Sequence, residues 1–147
     1  MTTNHRHMPV APEAVWDVLA DPFQYAHWVV GSKEIRAADA DFPAQGTRFH
    51  HSVGIGPLTV RDHTEVVESA RPRLLHLRAK ARPLGTATVV MEMIATDGGA
   101  MVSMSERPDG LYSPLALSPL VHVATKLRNA ESLRRLEALA LRYSRSR

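Results

Sequence analysis

An α+β fold, in which a curved antiparallel sheet is covered by one long C-terminal helix, follows from three features of the sequence. Apolar residues recur at helical spacing near both ends of the chain, and they alternate with period two from about residue 32 to residue 107. Short, turn-rich connections separate the alternating segments, as between consecutive antiparallel strands. The 147 residues fit one domain, 1–147, long enough to bury a core without metals or disulfides. Apolar residues at 44% and charged residues at 22% place the chain among globular proteins.

The first nine residues are polar, with His5 and His7, and read either as an edge strand or as a partly ordered start. Pro12 opens a helix, since its missing N–H would have no partner in a first turn; Val15, Trp16, Val18 and Leu19 follow at helical spacing. Asp21-Pro22 stops that helix and starts a second, short one, with Asp21 as N-cap and Gln24 as its capping-box partner. The second helix carries Phe23, Tyr25 and Trp28, and Gly31 marks its end.

Six strands follow: Lys33–Ala38, Thr47–Val53, Leu58–Glu68, Leu74–Arg82, Thr86–Thr96 and Met101–Glu106. Their turns are rich in glycine and proline, as in Gly54-Ile55-Gly56-Pro57 and Pro83-Leu84-Gly85. Leu75, Leu77, Ala79 and Ala81 share one face, and His76, Arg78 and Lys80 the other. On the next strand Ala87, Val89, Met91 and Met93 face one way, with Thr86, Thr88 and Glu92 opposite. One face is dry and one wet, so only one is covered.

The covering element is a helix from about Leu117 to Tyr143. Leu120, Val123, Ala124, Leu127, Ala130, Leu133, Leu136 and Ala140 form its apolar stripe, and Arg128, Glu131, Arg135 and Arg142 the opposite, solvated face. The inward residues of the sheet are small enough to leave a cavity beneath this helix, although well-packed leucines would equally fill it.

Several function classes fall away. The chain has no cysteine, which excludes disulfides, thiolate metal sites and cysteine nucleophiles. No apolar run reaches membrane-spanning length and the first 20 residues do not form a signal peptide, so a cytoplasmic protein is expected. The net charge of +3 resides in the last helix, where seven basic and two acidic residues follow from Lys126 onward. Because these charges lie opposite an apolar stripe, they read as a solvated helix face and no nucleic-acid partner is expected. No metal or cofactor is expected either: His50 and His51 point opposite ways on one strand, and no phosphate-binding or nucleophile-elbow motif is present.

Four stretches together resemble the START-like, or SRPBCC, superfamily, in its bacterial polyketide cyclase/dehydrase type. Val10-Ala11-Pro12-Glu13-Ala14-Val15-Trp16-Asp17-Val18-Leu19-Ala20-Asp21-Pro22 resembles its opening helix, and Tyr25-Ala26-His27-Trp28 the helix after it. Pro72-Arg73-Leu74-Leu75 is similar to the start of a central strand in that superfamily, and Leu127 to Leu139 to its closing helix. The resemblance spans nearly the whole chain. It implies a helix-grip fold: a seven-stranded curved antiparallel sheet around a long C-terminal helix, with two short helices after the first strand. It also implies a deep cavity for apolar or amphipathic ligands. Carriers, receptors and cyclases share this fold, so function must be argued from the site.

His51 is the sharpest candidate. It shares a strand face with Phe49 and Val53, and an imidazole in an apolar cavity can orient a ligand carbonyl or act as a general base. Asp62 and Thr64 fall on the face of their strand with fewer long charged groups, which places Asp62 as a partner for His51. His51 and Asp62 are therefore the candidate catalytic pair. Glu106 shares a face with Val102 and Met104; a rim ion pair with Arg107 or Arg48 is the alternative to a cavity role. Tyr25 and Trp28 are candidate gates, and Tyr112 a candidate entrance residue. Phe49, Leu77, Ala79, Val89, Met91 and Met104 complete the expected lining, with Asn129 as a polar anchor from the last helix.

The expected function is binding of a small hydrophobic or amphipathic molecule such as a lipid, polyketide or isoprenoid. A polyketide cyclase, aromatase or dehydrase using acid/base residues in the cavity is the alternative. A regulatory module binding a protein or membrane surface through its basic helix is the third. A homodimer could form through an exposed sheet edge or the short helices.

Overall fold

The computed structural model describes residues 1–55, 57–83, 85–109 and 119–146. The first nine residues resolve as strand β1 (Thr2–Met8). Helix α1 (Pro12–Leu19) follows, with Pro12 in its first turn. The Asp21 carboxylate then accepts from the backbone N–H of Phe23 at 3.1 Å, capping a 3-10 turn (Pro22–Gln24) that runs into α2 (Tyr25–Trp28). The Asp21 backbone N–H donates to the Val18 carbonyl at 3.2 Å rather than to the Gln24 side chain, so the reciprocal half of the expected capping box is not formed. Gly31 takes a left-handed φ of 98°, the conformation glycine adopts most readily where a helix must stop.

Strands β2 (Ser32–Ala38), β3 (Arg48–Ile55), β4 (Leu58–Ala70), β5 (Leu74–Ala81), β6 (Gly85–Thr96) and β7 (Gly99–Pro108) form one antiparallel sheet with β1. Its order is β1-β7-β6-β5-β4-β3-β2, so the chain's first strand joins its last. Side chains in register form rows across the inner face. One row is Phe49, Thr64, Ala79 and Ala87; the next is Val66, Leu77, Val89 and Glu106. The alternation read from β5 and β6 is the alternation observed.

The long helix α3 (Pro119–Arg145) rests chiefly on α1, β1 and α2 rather than on the central strands. Leu133, Leu136 and Ala140 are buried with Val15, Val18 and Leu19 of α1 in the main core. The first third of the expected apolar stripe behaves differently. Leu120, Val123 and Leu127 are largely exposed, as are Ala124 and Ala130. That part of α3 is tied to the sheet edge by polar contacts instead. Thr2 Oγ1 and His122 Nδ1 lie 2.9 Å apart, and Asn4 Nδ2 donates to the Lys126 carbonyl at 3.0 Å. Helical periodicity identifies a face but not what stands opposite it. The expected start at Leu117 lies outside the described residues.

Candidate functional site

A cavity of about 450 Å³ lies between the inner face of the sheet, α2 and α3. It exists because the middle of the sheet presents small side chains, Ala79, Ala81 and Ala87, while α3 leans on α1 and the sheet edge. Apolar walls come from Leu77, Val89 and Met104, and a chain of aromatic rings closes one end. Trp28 packs on Tyr25 with ring centroids 5.1 Å apart, Tyr25 on Phe49 at 4.7 Å, and Phe49 on His51 at 5.8 Å. The Tyr25 hydroxyl donates to the Leu19 carbonyl at 2.8 Å and burial raises its pKa, so it stays a protonated structural donor.

His51 lies on the cavity wall and is only 4% exposed. Among the described residues neither ring nitrogen has a hydrogen-bond partner. Burial pushes the imidazole below its ordinary value of 6.5, and the nearby charges of His63 and Arg36 push the same way. The His63 backbone and the Asp62 carboxylate oppose this, but burial is the largest influence. The ring is therefore neutral at neutral pH, with one donor and one acceptor.

Asp62 is directly opposite His51 in the β3–β4 register, but its carboxylate is engaged elsewhere. Arg82, just beyond β5, donates its backbone N–H at 2.9 Å and its Nε at 3.0 Å to Oδ2, and its Nη2 at 3.0 Å to Oδ1. The His63 N–H adds a bond to Oδ1 at 2.9 Å. These donors, Arg82 first, hold the Asp62 carboxyl well below the usual carboxylate range despite its burial. The expected His51–Asp62 pair is thus not formed, and Asp62 is not among the residues lining the cavity. A charge at the end of a sheet takes the nearest fork of donors, and Arg82 supplies one.

Glu106 does line the cavity, and its ion pair is with neither Arg107 nor Arg48. Arg128 Nη2 reaches both carboxylate oxygens, at 2.6 Å to Oε1. Asn129 Nδ2 donates to Oε1 at 3.4 Å, and Arg128 Nε to Asn129 Oδ1 at 3.4 Å. Arg107 lies 3.6 Å from Asp109, and Arg48 3.7 Å from Glu65. Arg128 was expected on the solvated face of the last helix; it turns toward the cavity because Glu106, only 15% exposed, requires a counter-charge there.

Of the candidate residues, Tyr25, Trp28, Phe49, His51, Thr64 and Leu77 line the cavity, as do Ala79, Val89, Met104, Glu106 and Asn129. Met91 does not. It is fully buried in the core beside Leu75, one row beyond the cavity along β6. Tyr112 lies outside the described residues. Arg128 and the segment Val29–Ser32 also contribute to the wall. Arg128 was legible only through its neighbour Asn129, and the Val29–Ser32 segment through the glycine that ends α2. Among the described residues there is no cluster of three histidine or acidic side chains able to hold a metal, and no helix long and apolar enough to cross a membrane.

A search of curated proteins finds no match. Solved structures match over nearly the full chain at low identity. Protein NE0264 from Nitrosomonas europaea is 17% identical with a TM-score of 0.71, covering 95% of this chain and 93% of its own. Protein SA2116 from Staphylococcus aureus, of unknown function, is 11% identical with a TM-score of 0.74, covering 98% and 94%. Ara h 8.0201 is 14% identical with a TM-score of 0.73, covering 95% of both chains. At these identities the likeness shows the fold, which is the helix-grip fold expected from the sequence. The model of one family, polyketide cyclase / dehydrase and lipid transport, matches residues 2–141. With nearly the whole chain inside that match, the protein belongs to the polyketide cyclase / dehydrase and lipid transport family of the START-like superfamily.

Proposed function

We propose that the protein binds a small, largely apolar molecule in the cavity between the sheet and α3. The observation that carries this reading is the cavity itself, about 450 Å³ and walled mainly by Leu77, Ala79, Val89, Met104 and aromatic rings. Its size lies within the range of about 300–1,000 Å³ of ordinary ligand sites. Burial of apolar ligand surface supplies the affinity. The few polar groups, His51, Thr64 and the Glu106–Arg128–Asn129 cluster, supply orientation. The family's association with lipid transport supports the same reading.

The test is displacement of Nile red, an uncharged apolar dye, from the wild type and from Ala79→Phe. The added ring occupies the middle of the cavity. Dye binding is expected to weaken by about tenfold or more while the melting transition stays cooperative. Undiminished binding in that variant would place the dye elsewhere and contradict the reading.

A cyclase or dehydrase is the second reading, and the observation favouring it is the unpartnered His51 ring, neutral and able to take or give a proton. Without Asp62 behind it, this would be a lone-histidine mechanism. It predicts that His51→Phe abolishes turnover and spares uptake. A surface-binding role through the basic helix has less support, because Arg128 is bonded to Glu106, and Arg134 and Arg135 are both bonded to Glu131.

A further inference from the structure

Among the described residues, two on the cavity wall bury polar atoms without a hydrogen-bond partner. The indole Nε1–H of Trp28, 1% exposed, has no acceptor, and both ring nitrogens of His51 are unpartnered. Buried donors in folded proteins are nearly always satisfied, so such orphans point to a missing partner. Both sit at the aromatic end of the cavity, joined through Tyr25 and Phe49. Tyr25 donates its hydroxyl proton to the Leu19 carbonyl, and among the described residues no hydrogen bond joins that hydroxyl to either Trp28 or His51. The indole can only donate, so its partner must present an acceptor, and oxygen is the commonest one.

The charges of the cavity restrict that partner further. Among the described residues, three charged residues contribute to the wall: Lys80, Glu106 and Arg128. Glu106 and Arg128 are bonded to each other. Lys80 alternates with the inward Ala79 and Ala81 on β5, and its charge acts on His63, which shares the outer face. A ligand anion at Arg128 would share a guanidinium already held by Glu106 and stand beside that carboxylate. A ligand cation at the aromatic end would be buried without a counter-charge.

We propose that the ligand is an uncharged, largely apolar molecule carrying hydroxyl or carbonyl oxygens at one end, which hydrogen-bond Trp28 Nε1–H and the His51 ring. This rests on the cavity being a binding site and specifies the chemistry of what it holds. It separates neutral alcohols, phenols and ketones from fatty acids of similar bulk. A neutral imidazole complements a neutral oxygen without either group having to ionise.

Three probes share one apolar body: hexylresorcinol, with two neutral hydroxyls on its ring; hexylbenzene, with none; and hexylbenzoate, an anion. Each displaces Nile red from the protein at neutral pH. Hexylresorcinol is expected to bind about tenfold tighter than either of the others. Trp28→Phe removes the N–H and keeps a ring; His51→Phe removes both imidazole nitrogens. Each is expected to shrink the preference for hexylresorcinol over hexylbenzene by about threefold or more, with hexylbenzene itself little changed. His51→Gln, which keeps a donor and an acceptor, is expected to retain most of it, and stands in should His51→Phe not fold.

Equal affinity for hexylresorcinol and hexylbenzene would overturn the proposal, as would tightest binding of hexylbenzoate. A preference untouched in both the Trp28 and His51 variants would do the same. If Nile red binds, is blocked by Ala79→Phe and shows no preference among the probes, only this inference fails. If nothing binds, the cavity reading fails with it.

Discussion

Asp62 and His51 stand directly opposite each other on β4 and β3, yet the carboxylate bonds Arg82 and the imidazole has no hydrogen-bond partner among the described residues. Two residues that look like a catalytic dyad in the sequence therefore have separate roles. Asp62 ties the end of β5 to β4, and His51 is left available at the cavity wall.

Replacing Asp62 by alanine is accordingly a stability experiment. The variant loses several charge-assisted bonds and leaves the Arg82 backbone N–H without its acceptor, at a cost of about 2–3 kcal/mol in chemical denaturation. The exposure of Arg82, 57% for its side chain, keeps that figure below the fully buried case. Nile red affinity should stay within about twofold, well under the tenfold that 1.4 kcal/mol represents. Unchanged stability with lost binding would make Asp62 a ligand residue after all.

The two halves of α3 should differ sharply. Leu136, fully buried against α1, should lose about 2–5 kcal/mol of stability on substitution by alanine. Leu127, 68% exposed, should lose no more than about 0.5 kcal/mol. Equal losses, read from urea unfolding midpoints, would mean that the first part of the helix is packed as firmly as the second.

Acidification should weaken the fold before the carboxylates titrate. Burial lowers the pKa of both His51 and His63 below 6.5. As pH falls through that value the unfolded chain takes up protons that the folded rings refuse, so stability drops until the folded-state values are reached. His51→Phe and His63→Phe should each flatten the fall in unfolding free energy below about pH 6.5. The Asp62 contribution has the opposite origin: its carboxyl is lowered below 3.8, so that stability persists at mild acid pH and disappears only at strongly acid pH. A stability profile flat from neutral pH down to the carboxylate range would contradict the histidine assignment.

Glu106 and Arg128 should show coupling in a double-mutant cycle. Arg128→Ala leaves Glu106 largely buried with, among the described residues, the long bond from Asn129 as its remaining side-chain partner, at a cost of about 1–3 kcal/mol. Glu106→Gln combined with Arg128→Gln should recover part of that loss, because no uncompensated charge remains. Strict additivity of the two single changes would show that the pair contributes nothing as a pair.

Much of this architecture was legible because the strands keep period two: Leu77, Ala79 and Val89 face the cavity as their alternation requires. The same alternation put Met91 in the lining, since period gives the face of a strand but not how far along it the cavity extends. Likewise the spacing of Leu120, Val123 and Leu127 marks a genuine stripe, while the polar anchors of Thr2 and Asn4 lie more than a hundred residues away in the chain. Choices of partner were the least legible. Arg82 and Arg128 each answer a buried carboxylate contributed by another element, and no local pattern carries that pairing. The orphaned nitrogens of Trp28 and His51 likewise depend on which groups fail to reach them.

Methionine methyl NMR tests the central claim most directly. Met104 lines the cavity, whereas Met93 and Met8 are buried in the core away from it. Titration with hexylresorcinol should shift the Met104 methyl resonance to saturation at one equivalent, leave Met93 and Met8 nearly unmoved, and lose its effect in Ala79→Phe. A Met104 resonance that stays fixed while the compound binds elsewhere, or does not bind, would contradict the assignment of the cavity as a ligand site.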